Sequence, residues 1–226
     1  MRRPDSFHLP EYLRMLAGIL ALYVLVIGFG NGSANGAFQT GIVAFLVFSA
    51  ARLHRDRRFR RFVALVGAVA FVSTVALAFL APPRIVYGVV GAWLAVLLGV
   101  AIASIGSTLL QRGRSDTSTV LGVLCIYLLL ALLYTGINQV LAAFQPNYLH
   151  GAQAPPTSSD LLYFSVITIT TVGYGDLTPA CVPARAVAVV EAMTGQLYLV
   201  SVVAAVVGLW RAPRFNKPDE QQGPGG

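Results

Sequence analysis

The sequence predicts an all-α integral membrane protein of six transmembrane helices, with one further short helix that enters the membrane only partway. Three observations predict it. The chain of 226 residues is 56% apolar and only 11% charged, with a mean hydropathy of +0.71, well beyond what a soluble domain carries. Its apolar residues fall into runs that match a bilayer's thickness, roughly 20 residues for a helix. Basic residues gather at the ends of those runs, so the net charge of +7 reports topology. Lys217 is the single lysine, and no aromatic surface interleaves the arginines, so nucleic acid is not an expected partner.

The first span is expected over residues 13–29, with Arg2, Arg3 and Arg14 at or before its start. A cleaved signal peptide with small residues before Gly36 is the competing reading of this end, and the long stretch ahead of the apolar run argues against it. A second span over 37–51 is short and carries Gln39 and Thr40 near its start. Six arginines follow, Arg52, Arg55, Arg57, Arg58, Arg60 and Arg61, before a third span over 62–80. Pro82 and Pro83 end that span, and a fourth over 85–110 brings Gly88, Gly91 and Gly99, small residues that permit close helix contact. Arg112, Arg114 and Asp116 separate it from a fifth span over 119–144, in which Asn138 and Gln139 must face something polar.

Residues 145–157, with three prolines, form a connector, and Ser158, Ser159 or Asp160 is placed to cap a short helix over 158–169. The sixth span is expected over 183–210, with Pro183 in its first turn. The remainder, 211–226, is rich in Pro, Gly and Gln and reads as disordered. Three regions result: a helical region over 1–114, a second membrane unit over 115–210, and the tail. Basic residues in short loops stay on the cytoplasmic side, which puts both termini inside and the connector of 145–157 outside.

Between the short helix and the sixth span lies Thr170-Thr171-Val172-Gly173-Tyr174-Gly175-Asp176. Chain that leaves regular structure at membrane depth must be shielded from lipid or line water. Gly-x-Gly spacing opens backbone conformations closed to other residues, so successive carbonyls can face one way as oxygen ligands for a hard cation. At these residues the chain resembles the tetrameric potassium-channel family, whose filter signature is Thr-Val-Gly-Tyr-Gly. The resemblance extends from the fifth span to the end of the sixth, about a third of the chain by the same motif criteria.

That resemblance implies a homotetramer in the plasma membrane, conducting K+ passively, with no cofactor. The short helix becomes a re-entrant pore helix, and 115–210 a pore domain. Thr171, Val172, Gly173 and Tyr174 would bind K+, with Gly175 completing the filter and Asp176 and Arg185 at its outer mouth. Gly195 falls at the family's hinge position, though a packing glycine is the plain alternative. Gln196, Leu199, Val200, Val203 and Val207 would line the cavity or gate. The match is incomplete at Tyr163 and Phe164, where tryptophans are common, and at Ile167, where some bacterial members have a glutamate. These departures bear on inactivation, not on selectivity.

Arg52, Arg55, Arg58 and Arg61 recur every third residue, as in a voltage-sensing helix. Polar residues intervene, however, and the fourth span, where the sensor belongs, has no internal arginine. The run is therefore expected as a cytoplasmic loop meeting anionic headgroups. Glu191, inside the sixth span, is a candidate pH-responsive or structural group, with Asn138, Thr168 and Thr170 as expected partners. An intramembrane enzyme would need paired catalytic groups, yet His8, His54 and His150 lie outside the spans and Glu191 stands alone. The cysteines, Cys125 and Cys181, form no disulfide framework. A weakly selective cation channel and a membrane subunit of a transport system are the alternative functions.

Overall fold

The computed structural model describes residues 9–28, 57–112, 117–145 and 147–211. In chain order the elements are α1 (Leu9–Gly28), α2 (Arg57–Leu80), α3 (Pro83–Arg112), α4 (Thr117–Phe144), β1 (Leu149–His150), α5 (Ser158–Ile169), β2 (Thr178–Pro179) and α6 (Val182–Arg211). Among the described residues, three stretches are long and apolar enough to cross a membrane by length and composition: Arg60–Leu80, Pro83–Leu109 and Thr119–Phe144. The expected second span, 37–51, and the tail from 212 lie outside the described residues.

α4 is the element the others surround. Helices α1, α3, α5 and α6 all pack against it, burying Cys125, Leu129, Leu132, Asn138 and Ala142 around its circumference. A helix enclosed in this way needs an apolar surface on every side, and this one has it for most of its length. The closest approach is to α3. A Cβ at Gly91 would lie 2.8 Å from the Gly136 carbonyl oxygen, and one at Gly136 the same distance from that of Gly91, so the two backbones touch. Apolar helices in lipid gain little from hydrophobic burial, so such small-residue contact supplies the packing.

Polar side chains fasten the same pair. Gln139 Nε2 donates to the Tyr87 carbonyl at 3.0 Å, and Arg84 Nε donates to the Ala143 carbonyl in the last turn of α4. The Arg84 guanidinium also sits 6.0 Å from the centre of the Phe144 ring. Tyrosines make further ties: Tyr23 of α1 donates to Leu128 O at 2.8 Å and Tyr198 of α6 to Val123 O at 2.7 Å.

Several sequence expectations need correction. α2 begins at Arg57, so the later arginines of the basic run, Arg57, Arg58, Arg60 and Arg61, occupy its opening turns instead of a loop. Arginine is a good helix former and extends an apolar helix toward the headgroups by its long stem. The cap of α5 is Thr157, one residue ahead of the expected candidates. Its hydroxyl accepts from Asp160 N at 3.1 Å, while Asp160 Oδ2 accepts from Thr157 N at 2.9 Å. This reciprocal pair satisfies two donors that a helix start leaves unpaired. The connector also holds strand β1, which pairs antiparallel with β2 in the register Leu149↔Pro179 and His150↔Thr178, an element the apolar pattern does not announce.

Candidate functional site

α5 occupies the 158–169 stretch read from the sequence, and the chain leaves it abruptly. Thr170 caps the end, and Thr171 takes a φ of +60°. Gly173 and Gly175 follow with φ of +52° and +82°, while Val172 and Tyr174 between them stay negative. Residues of alternating hand turn their carbonyls toward one side, unlike a strand, whose carbonyls alternate. Glycine takes the positive values without penalty, but Thr171 is β-branched, and its conformation costs on the order of 1–3 kcal/mol. Thr171 is the one non-glycine residue with positive φ among the described residues.

Backbone hydrogen bonds hold the unusual path. Thr171 N donates to Thr168 O at 3.0 Å, and Val172 N and Gly173 N both donate to Ile167 O, at 2.9 and 3.1 Å. The segment therefore hangs from the last turn of α5. The carbonyl end of that helix carries partial negative charge, which favours a cation nearby.

The far end of the segment is fixed by side chains. Tyr163 OH donates to Asp176 Oδ2 at 2.9 Å, and the Tyr163 and Tyr174 rings stack with centroids 6.5 Å apart and planes 7° from parallel. Gly151, in the connector, has a φ of +86°, and a Cβ there would overlap the Asp176 carbonyl oxygen. The connector thus presses backbone to backbone on the end of the segment. Residues 171–176 are exposed in the single chain.

α6 carries the remaining candidates. Arg185 is exposed in its opening turns, as are Gln196 and Leu199 farther along, while the side chain of Val203 lies outside the described set. Leu197 and Val200 are exposed too, so exposure in one chain does not single out a lining face. Gly195 meets α5: a Cβ there would stand 2.5 Å from the Ile169 carbonyl oxygen. The same carbonyl accepts from Tyr127 OH at 3.0 Å, and Tyr134 OH pairs with Thr194 Oγ1 at 2.8 Å. The packing reading of Gly195 thus has a direct structural basis.

Glu191 is fully buried, toward α4 and α5 as its spacing implies. Asn138 is a partner, but Thr168 and Thr170 are not. Ser165 takes their place, because the crossing of α5 and α6 brings residue 165 to the level of 191 and residue 169 to that of 195. Asn138 Oδ1 accepts from Tyr148 OH at 2.7 Å. Burial, with Cys181 and then Glu191 adding to it, pushes the Tyr148 phenol above its ordinary range, so it remains a donor. Ser165, Tyr148 and Gly151 were not singled out in the sequence. A serine in an apolar helix is a weak signal, and a connector glycine reads as any turn.

Residues 122–211 match the family described as Ion channel. The match starts inside α4 and runs through α5, the irregular segment and α6, well under half of the chain. It supports an ion-channel family, and with the long apolar helices it indicates a multi-pass membrane protein. No curated protein matches the chain.

Proposed function

We propose that the chain is one subunit of a homotetrameric potassium-selective channel in the plasma membrane, with both termini cytoplasmic. The carrying observation is the alternation of backbone hand over Thr171 to Gly175, hung from Ile167 O, on a Thr-Val-Gly-Tyr-Gly sequence. In this reading Thr171, Val172, Gly173 and Tyr174 offer carbonyl and hydroxyl oxygens in place of an ion's water shell. One chain supplies one side of such a column. Four copies about an axis surround the ion, and the four α5 carboxyl ends then favour a cation below it. Asp176 and Arg185 stand at the mouth, and Gln196, Leu199 and Val203 on α6 line the cavity.

The residues of 1–114 are read as a non-sensing collar, and the basic run from Arg52 to Arg61 as a site for anionic headgroups. No bound cofactor is required, since K+ is the permeant ion. Potassium-gradient-driven flux through liposomes holding the purified protein tests the proposal. A weakly selective cation channel would pass sodium equally, and a subunit of a transport system would pass neither ion alone.

Voltage dependence is expected to be shallow. The charges of α3, Arg84 and Arg112, sit at its ends, and its backbone touches α4 at Gly91 and Gly136. Each charge moved through the field contributes about 2.3 kcal/mol per 100 mV, so a helix that moves none supplies no steepness. Current families from bilayers check this. A steep conductance curve that flattens when Arg55 and Arg58 are neutralised would assign sensing to the basic run instead.

A further inference from the structure

Two of the contacts between α6 and α5 lie one turn apart on each helix. Glu191 lies against Ser165, and Gly195 against the Ile169 carbonyl. Residues four apart share a helix face, so the two contacts form a single seam. The contact at Gly195 is backbone on backbone. The contact at Glu191 is polar and involves two further elements.

Asn138 of α4 is its hub. The amide Nδ2 donates to Ser165 Oγ at 3.0 Å and reaches Glu191 Oε2 at 3.5 Å, while Oδ1 accepts from Tyr148 OH at 2.7 Å. Asn138, Tyr148, Ser165 and Glu191 are each 0% exposed. Three helices and the connector therefore share one cluster sealed from both water and lipid.

Asn138 and Ser165 give the carboxyl neutral hydrogen-bonding partners, but no cation among the described residues of the cluster balances a negative charge. α4 offers Asn138 and α5 offers Ser165, neither of which ionises. Among the described residues, the titratable groups close enough to feel Glu191 are Tyr148 of the connector and Tyr23 of α1, both phenols. On α6 itself Arg185 is six positions earlier and exposed. Glu191 Oε1 has no hydrogen-bond partner among the described residues. A carboxylate would thus be buried with one oxygen bare and no cation beside it, which costs far more than burying a neutral carboxyl.

We infer that Glu191 carries a proton and acts as a positioning residue: as a neutral carboxyl it holds α6 on α5 at Ser165, and losing the proton loosens that hold and lowers ion flux. The route to the conducting segment is short. Ser165 is two residues before Ile167, whose carbonyl carries both Val172 N and Gly173 N. A charged Glu191 must draw in water or move away, and either event displaces the turn from which the segment hangs. The flux part of this inference rests on the channel reading.

Two measurements test it. Infrared spectra of the purified native protein at neutral pH should contain a protonated-carboxyl stretch that is missing from Glu191→Gln, since exposed carboxyls are ionised there. Potassium flux in liposomes should fall about tenfold between about pH 6 and pH 9 in the native protein and change less than about twofold in Glu191→Gln. Titrating the native band follows the proton even where the variant does not assemble. Ser165→Ala leaves the carboxyl in place, so it should keep the band and lose flux. Absence of the band overturns the inference, as does an identical pH response in both proteins or full flux in Ser165→Ala. A native protein with the band and no potassium flux at any pH upholds the proton and overturns the channel reading.

Discussion

Gly173→Ala is expected to abolish potassium-selective flux while leaving the helices folded. Gly173 has a φ of +52°, and its neighbours Val172 and Tyr174 have the opposite hand. A Cβ at positive φ costs roughly 1–2 kcal/mol, and four copies in the proposed ring raise that to roughly 4–8 kcal/mol at one ion column. The relaxed backbone turns the carbonyl away from its side of the segment, so the oxygen column is broken. Comparing potassium and sodium flux of the variant in liposomes, with helix content followed by circular dichroism, checks this. Unchanged selectivity would mean that the carbonyls of this segment do not select the ion.

Gly151→Ala should produce a large though partial loss from outside the motif. Its φ of +86° and the overlap of a Cβ with the Asp176 carbonyl oxygen leave no room for alanine unless the two backbones separate. Separation pulls on the pairing of His150 with Thr178 and on the Tyr163–Asp176 hydrogen bond. The expected result is a fall in potassium flux of about tenfold or more, the equivalent of roughly 1.4 kcal/mol or more at the segment. The contact of α3 with α4 at Gly91 and Gly136 involves neither Gly151 nor Asp176, so those helices should stay packed. Full flux in the variant would show that the connector does not brace Asp176.

The helices were largely legible because lipid imposes a length on apolar runs, and α3, α4 and α6 extend their expected ranges by a few residues at most. α2 starts ahead of its apolar run, at Arg57, since hydropathy marks where an apolar run begins and not where arginines already coil. The half-length helix was readable from its length and the glycines after it. Its cap was not, because Thr157 acts through Asp160 and the serines between them are equally good caps in isolation. The strand pair depends on the connector folding back, which no local pattern encodes.

For the candidate site, the sequence marks costly groups better than it marks their partners. Glu191 and Asn138 stand out as polar residues in apolar runs. That they meet at Ser165 and Tyr148 depends on how α4, α5, α6 and the connector cross. Gly195 was readable either as a hinge or as a contact, and the backbone of α5 beside it supplies the contact. Gly151 carries no sequence mark at all, although its position against Asp176 makes it as demanding as the glycines of the motif.

The most direct measurement is the reversal potential of the purified protein in planar bilayers, with potassium on one side and sodium on the other. The account predicts reversal close to the potassium equilibrium potential, with currents lost in Gly173→Ala. Reversal near zero under those conditions, with potassium and sodium carried equally, would contradict it.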